Sequence, residues 1–277
     1  MIGKIFLVAT PIGNLEDMTF RALDVLKSVD IIAAEDTRHT LKLLNHYNIS
    51  KPLISYYKEI EKNKSDVIIS KVVEGKNIAI VSDAGTPCIS DPGEELVKKA
   101  ISVGIDVIPI PGACAFVNSL IVSGMNTREF CFVGFLPTHK KEKREKIEEL
   151  ANETKTIIIY EAPHRIIDTL TSLREIIGDR NICIVRELTK IHEEKIRGKI
   201  SQIISEMQDP KGEMVIILEG SNISKKDIAL SEINSLSLEE HYDYYKKQGF
   251  SKKEIIKLIA KDRKVSKNEI YQHFIGR

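Results

Sequence analysis

Apolar positions fall into two alternating textures along the first 120 or so residues of the chain. Short β-branched runs read as strands, and the fullest of them, Ile78–Val81, is apolar throughout, as a strand buried on both faces should be. Between these runs the apolar residues recur at helical spacing. The pattern predicts strands over Lys4–Ala9, Ile31–Ala34, Ile78–Val81 and Asp106–Ile110. It predicts helices over Phe20–Ser28, Thr37–Tyr47, Ser65–Glu74, Glu94–Ser102 and Ala115–Val122. Such alternation implies a mostly parallel sheet with helices on both faces.

A second patterned region opens near Phe130. FCFVGFLP, Thr156–Tyr160, Asn181–Arg186, Glu194–Gly198 and Glu213–Glu219 read as strands, the last two as an antiparallel pair. Lys140–Ala151 reads as a charged helix. His164–Ile177 is amphipathic, with Ile166, Ile167, Leu170, Leu173 and Ile177 on one face. The mixture implies an α+β or mixed-sheet unit packed on the first. From Ser224 the texture becomes helical and highly charged. Two Ser-x-x-Glu boxes, Ser251 with Glu254 and Ser266 with Glu269, predict two helix starts.

Composition changes this picture little. The 277 residues carry 41 basic and 40 acidic side chains, a net charge of +1, so global charge points to no partner. Locally it does: Lys246–Arg277 holds ten basic residues against three acidic, a basic helical appendage suited to a phosphate backbone. The apolar runs are too short to cross a bilayer and the N-terminus shows no long apolar leader segment, so a cytoplasmic protein is expected. Four scattered cysteines with no CxxC spacing argue against a disulfide framework or structural zinc.

The chemistry concentrates where strands end. Ile78–Val81 runs into SDAGTPCISDPG, a loop with two carboxylates, Asp83 and Asp91, beside Gly85, Pro87, Pro92 and Gly93. Loops at the carboxyl ends of parallel strands are where open α/β sheets bind ligands. Carboxylates there suit a cationic or hydroxyl-bearing molecule better than a phosphate. AEDTRHT after the second strand gathers two carboxylates, a guanidinium and an imidazole. ATPIGN after the first lacks both the GxGxxG and the P-loop fingerprints. No HExxH, GxSxG or paired Cys/His ligands appear, so no metal site is expected.

Taken together, VATPIGNLEDMTFRAL, AEDTRHT, VSDAGTPCISDPG, PIPGACA, GFLP, YEAPHR and RELTK, in this order and spacing, resemble the ribosomal small-subunit RNA cytidine 2′-O-methyltransferases of the tetrapyrrole methylase superfamily. The resemblance spans about Phe6 to Gly220, and the tail resembles the family's extension more loosely. It implies two α/β domains with a cofactor cleft between them and a small helical C-terminal extension, divided as 1–117, 118–224 and 225–277. The implied cofactor is S-adenosylmethionine, the implied partner 16S ribosomal RNA or the small subunit, and the implied assembly a homodimer. Carried over, donor contacts fall on Thr10, Pro11, Asp83, Ala84, Gly85, Thr86, Ile89, Ala113, Phe135, Leu136, Ala162 and Met214.

A ribose hydroxyl is a poor nucleophile, and a nearby base would help it. Glu35, Asp36 and Glu161 are the unranked candidates for that base. Arg38, Arg165, Lys190, Lys252 and Lys253 are the candidates for holding RNA. Two alternatives stay open at this point: a tetrapyrrole methyltransferase of the same superfamily, and a non-enzymatic RNA-binding assembly factor.

Overall fold

The structure, a computed structural model, describes residues 1–223, 230, 231 and 233–275. The expected boundary at residue 224 and the basic Arg277 lie outside the described residues. The chain divides into two compact units, Met1–Glu148 with Lys155–Glu219, and Glu149–Thr154 with Gly220–Arg277.

In the first unit, strands β1 (Ile5–Val8), β2 (Ile31–Ala34), β3 (Leu53–Ser55), β4 (Ile78–Val81) and β5 (Val107–Ile110) form a parallel sheet in the order β3-β2-β4-β1-β5. Period-two alternation sorts its side chains. Ile78 and Ile80 of β4 pack with Ile68, Val72, Leu96 and Ala100 from α3 (Glu61–Val73) and α4 (Glu94–Ser102). Ala79 and Val81 face the other way, onto Ala22, Leu26 and Leu44 from α1 (Phe20–Ser28) and α2 (Thr37–His46). Both faces are covered, so β4 is buried along its whole length.

Connectivity fixes where this sheet opens. From β2 the chain moves outward to β3, whereas from the adjacent β4 it moves the opposite way to β5. The crevice of opposed connections therefore lies beyond the carboxyl ends of β2 and β4. Glu35 and Asp83 sit there.

The second sheet has the order β6-β7-β10-β8-β9, from β6 (Phe130–Phe135), β7 (Thr156–Glu161), β8 (Asn181–Arg186), β9 (Glu194–Lys199) and β10 (Met214–Leu218). Only β6 and β7 pair in parallel; the other neighbours are antiparallel. The expected mixed sheet is present, but β9 and β10 do not pair. The apolar β10, MVIIL, is buried throughout and lies between β7 and β8, while the charged β9, EKIRGK, takes the edge beside β8. Helix α5 (Ala115–Ser123) covers Ile158, Cys183, Val215 and Ile217 with Leu120. The expected division at residue 117 falls inside this helix. Helices α6 (Lys140–Leu150), α7 (Ile166–Ile177) and α8 (Ile200–Glu206) follow their strands, and α8 and β3 are elements the pattern did not predict.

The second unit holds α9 (Leu238–Lys247), α10 (Lys252–Asp262) and α11 (Lys267–Ile275). Both expected helix starts are present. Glu254 accepts from the Ser251 N–H at 2.9 Å, and Ser266 Oγ accepts from the Glu269 N–H at 3.2 Å. Ile255, Ile256, Ile259 and Ile270 form its small core with Tyr242 and Tyr245. Among the described residues, no helix is long and apolar enough to cross a membrane.

Candidate active site

The loop after β1 and the loop after β4 are zipped together. Thr10 N donates to the Gly85 carbonyl at 2.8 Å, and Gly85 N donates back to the Thr10 carbonyl at 3.0 Å. Buried Thr10 Oγ1 donates to the Ser82 carbonyl at 3.2 Å. Gly85 has φ +86°, a left-handed conformation, and a Cβ there would lie 3.2 Å from Ile12 Cγ2. Thr86 Oγ1 ties this loop to the Ala113 carbonyl at 3.0 Å. The bulge at Phe132/Gly134 carries β6 past Ser90: a Cβ on Gly134 would lie 3.2 Å from Ser90 Oγ.

These loops enclose one side of a cavity of about 710 Å³, and the second sheet supplies the other through Phe135, Tyr160, Val185, Met214 and Val215. Carboxylates dominate its polar lining: Glu35, Asp83, Asp91, Glu187 and Glu213 all reach it. Asp83 Oδ1 accepts from the Asp36 N–H at 2.9 Å, which locks the β2 and β4 loops together. Burial, reinforced by the charge of Asp83, raises the Glu35 carboxyl above its ordinary range. Burial next to Glu35 pushes Asp91 up to about 7, against a bond to Ser82 that lowers it. The rim is strained: Cys88, Ser90, Glu187 and Thr189 all have positive φ. Lys190 reaches the same cavity while pairing with Glu187 at 3.0 Å.

Nine of the twelve expected donor contacts line this cavity: Thr10, Pro11, Asp83, Ala84, Gly85, Thr86, Ile89, Phe135 and Met214. Ala113, Leu136 and Ala162 are not among the lining residues. Ala113 holds Thr86, and Leu136 is buried with its carbonyl accepting from the Arg165 guanidinium at 2.9 Å. Ala162 donates its N–H to Glu161 Oε1 at 2.9 Å.

The candidate bases separate clearly. Glu35 faces the cavity. Asp36 does not: it caps α2 by accepting from the Arg38 N–H and pairs with the Arg38 guanidinium, which holds its carboxyl far below the usual range. Glu161 is fully buried, bonded to Thr169 Oγ1 at 2.5 Å, Ala162 N and Arg165 Nε at 3.2 Å. Its oxygens are occupied away from the cavity, so the expectation of a base at Glu161 gives way to a structural role. Arg165 is turned inward by the same network rather than presented to a phosphate. Arg38 is 88% exposed and, among the described residues, is held only by Asp36. Lys252 and Lys253 lie in the second unit, on the first turn of α10. Asp91 lines the cavity beside Asp83, as its place in the loop after β4 implied, whereas Glu187, Glu213 and Tyr160 line it without having been assigned a role from sequence; their positions at strand ends or in strand-end loops were the available signal.

A family model described as Tetrapyrrole (Corrin/Porphyrin) Methylases matches residues 4–204. A Bacillus subtilis (strain 168) protein named ribosomal RNA small subunit methyltransferase I is 49% identical over 275 residues, covering 99% of this chain and 94% of that one. A Synechocystis protein of the same name is 43% identical, covering 98% and 97%. The chain belongs to the tetrapyrrole methylases, in the ribosomal RNA small subunit methyltransferase I family. Membership assigns the reaction class, methyl transfer. Among solved structures, a Thermus thermophilus uroporphyrin III C-methyl transferase has the same fold, with TM-score 0.55 at 15% identity over 78% of this chain and 97% of that one. A second structure of that enzyme, with the same TM-score and coverage, is a complex with S-adenyl homocysteine.

Proposed function

We propose that this protein transfers a methyl group from S-adenosylmethionine to the 2′-hydroxyl of a cytidine in 16S ribosomal RNA. The observation that carries the reading is the carboxylate cluster Glu35, Asp83 and Asp91 at the crevice of the first sheet, facing an apolar wall from the second. Those residues fit the donor. Asp83 and Glu213 suit its ammonium and ribose hydroxyls, Gly85 in the Thr10–Gly85 bridge offers a close backbone with no side chain, and Phe135, Met214 and Val215 suit its apolar edges. When bound, S-adenosylmethionine supplies a sulfonium methyl that an oxygen nucleophile displaces without help from a metal.

The chain's own task is orientation and proton handling. Orienting two reactants can contribute about 7–11 kcal/mol at the favourable limit. Asp91 accepts the proton of the attacking hydroxyl, because its carboxyl at about 7 is poised between acid and base at neutral pH. Glu35, with its own carboxyl raised, keeps the pair from ionising together. Lys190, on the lip, steadies an RNA phosphate.

The test is methyl transfer from labelled S-adenosylmethionine to unmodified small subunits and to naked 16S RNA, followed by mapping of the modified nucleotide. A 2′-O-methyl on one cytidine is expected. Methylation of a base, or of a tetrapyrrole in preference to RNA, would overturn the reading. The same reading places the protein in the cytoplasm, with its ribosomal substrate, as a homodimer. Val117 and Ile121 on one face of α5, with nearby Phe130, are exposed and apolar, as a self-association surface requires. Sedimentation equilibrium with a Val117→Lys, Ile121→Lys variant tests that assignment.

A further inference from the structure

The second unit carries a groove of its own. Helices α10 and α11 enclose a space of about 680 Å³, lined by Lys252, Lys253, Lys257, Lys267 and Tyr271 over a floor that includes Ile256. That volume lies in the range, roughly 300–1,000 Å³, of sites that hold small ligands. Ile256 is 6% exposed, whereas Tyr271 is 51% exposed. Tyr271 takes no part in the helix core, so its half-exposed ring is available to the groove.

The charges are free to act. Among the described residues, Lys253, Lys257 and Lys267 have no carboxylate partner, and Lys252 reaches only the Phe274 carbonyl at 3.4 Å. Of the acids on α10 and α11, Glu254 closes the cap at Ser251, Asp262 accepts from Tyr245 Oη at 2.6 Å, and Glu269 is not among the residues that line the groove. The groove thus combines cations with one accessible aromatic face. Polyanion attraction alone would need no ring, and an apolar ligand would need no lysines. Sequence-tolerant binding of single-stranded nucleic acid uses this combination, with the backbone tracked by cations and a base stacked on the ring.

We propose that the groove between α10 and α11 binds one stretch of single-stranded RNA, its phosphates along Lys253, Lys257 and Lys267 and one base stacked on Tyr271. The proposal rests on the RNA-substrate reading above and adds a site outside the methyl-transfer cavity. The two halves of the groove leave different signatures. Each phosphate contact on a single strand contributes about 0.7 to the slope of log affinity against log salt, so three contacts contribute about 2. Stacking contributes to affinity without contributing to the slope.

The experiment is fluorescence anisotropy of the full chain with a short labelled oligouridylate and with its abasic counterpart, across a salt series. Tyr271→Ala and Tyr271→Leu are expected to weaken oligouridylate binding about five-fold or more with an unchanged slope, and to leave the abasic probe unaffected. Tyr271→Phe should restore wild-type binding. The triple variant Lys253→Gln, Lys257→Gln, Lys267→Gln should reduce the slope by about 2 on both probes. Wild-type behaviour of the Tyr271 variants, or equal losses on both probes, would overturn the stacking assignment. An unmoved slope in the triple variant would overturn the phosphate assignment and leave an acidic protein as the groove's partner. If the wild-type chain bound neither probe at any salt, the RNA reading itself would fall; binding by wild type with indifferent variants would remove the groove alone.

Discussion

Replacing Asp91 with Asn should make the protein more stable and less active, and the gain should depend on pH in a calculable way. The folded carboxyl titrates at about 7 against 3.8 for an ordinary aspartate. Because the folded value is raised, the folded state holds the proton more tightly than the unfolded chain. The resulting stability is complete below the unfolded value and is lost as pH rises through the folded one. Between the two, stability falls by about 1.4 kcal/mol per pH unit on account of this group. Integrated from about pH 5 to about pH 8, the loss is about 2.6 kcal/mol, and solvent reaching the open cavity trims it to about 1.5–2 kcal/mol. Asn cannot ionise and escapes the loss. Urea unfolding of both proteins at the two pH values reads it directly: the variant's advantage should be small in acid and grow by that amount in base. Glu35 shifts in the same sense, so a weaker slope should survive in the variant. In parallel, kcat for methyl transfer should fall about 100-fold or more, the usual cost of removing a general base. Parallel stability profiles for the two proteins would refute the burial argument, and unchanged kcat would refute the role as base.

Other expectations are sharper on structure than on chemistry. Gly85→Ala puts a Cβ 3.2 Å from Ile12 at φ +86°, which should cost about 1–2 kcal/mol and weaken donor binding at least ten-fold by calorimetry; wild-type donor affinity would show that the Thr10–Gly85 bridge does not shape the site. Glu161→Ala strips Thr169, Ala162 and Arg165 of their shared acceptor and should destabilise the fold by about 3 kcal/mol. A variant of unchanged thermal midpoint but abolished transfer would return Glu161 to the catalytic group. Arg38→Ala, at an 88% exposed side chain, should leave the thermal midpoint unmoved, so any loss of activity it causes can be read as lost RNA contact.

The first sheet was legible in the sequence because each of its long-buried strands is an uninterrupted apolar run closed by a turn. Ile31–Ala34 and Ile78–Val81 are such runs, and Thr19 and Asp36 cap the helices that follow β1 and β2. β3 escaped notice because Leu53–Ser55 is only three residues long, half-buried and at the sheet edge. α8 was hidden since ISQIISE carries too few residues to separate a helical period from the end of β9. The expected antiparallel pairing of β9 with β10 is not formed, since β8 lies between them. Their compositions already argued otherwise, a charged strand for the edge and an apolar one for the centre. At the site, the donor loops were readable because Gly, Pro and Asp mark them. Which carboxylate faces inward was not readable. Glu35 and Asp36 are adjacent in sequence, and only the capping geometry of α2 turns one away from the cavity.

The position of β10 also sets the order in which the molecule can be assembled. As the ribosome releases the chain, β7 and β8 emerge with no partner between them. The second sheet cannot close until Met214–Leu218 arrives and slots into the gap. Until then two apolar edges stand open to neighbouring chains, the circumstance in which nascent proteins aggregate. Glu213, Met214 and Val215 also line the cavity, so the site is the last part of the first unit to be finished. Chains stalled before Met214 should therefore engage chaperones and bind no methyl donor, even with every strand of the first sheet already made.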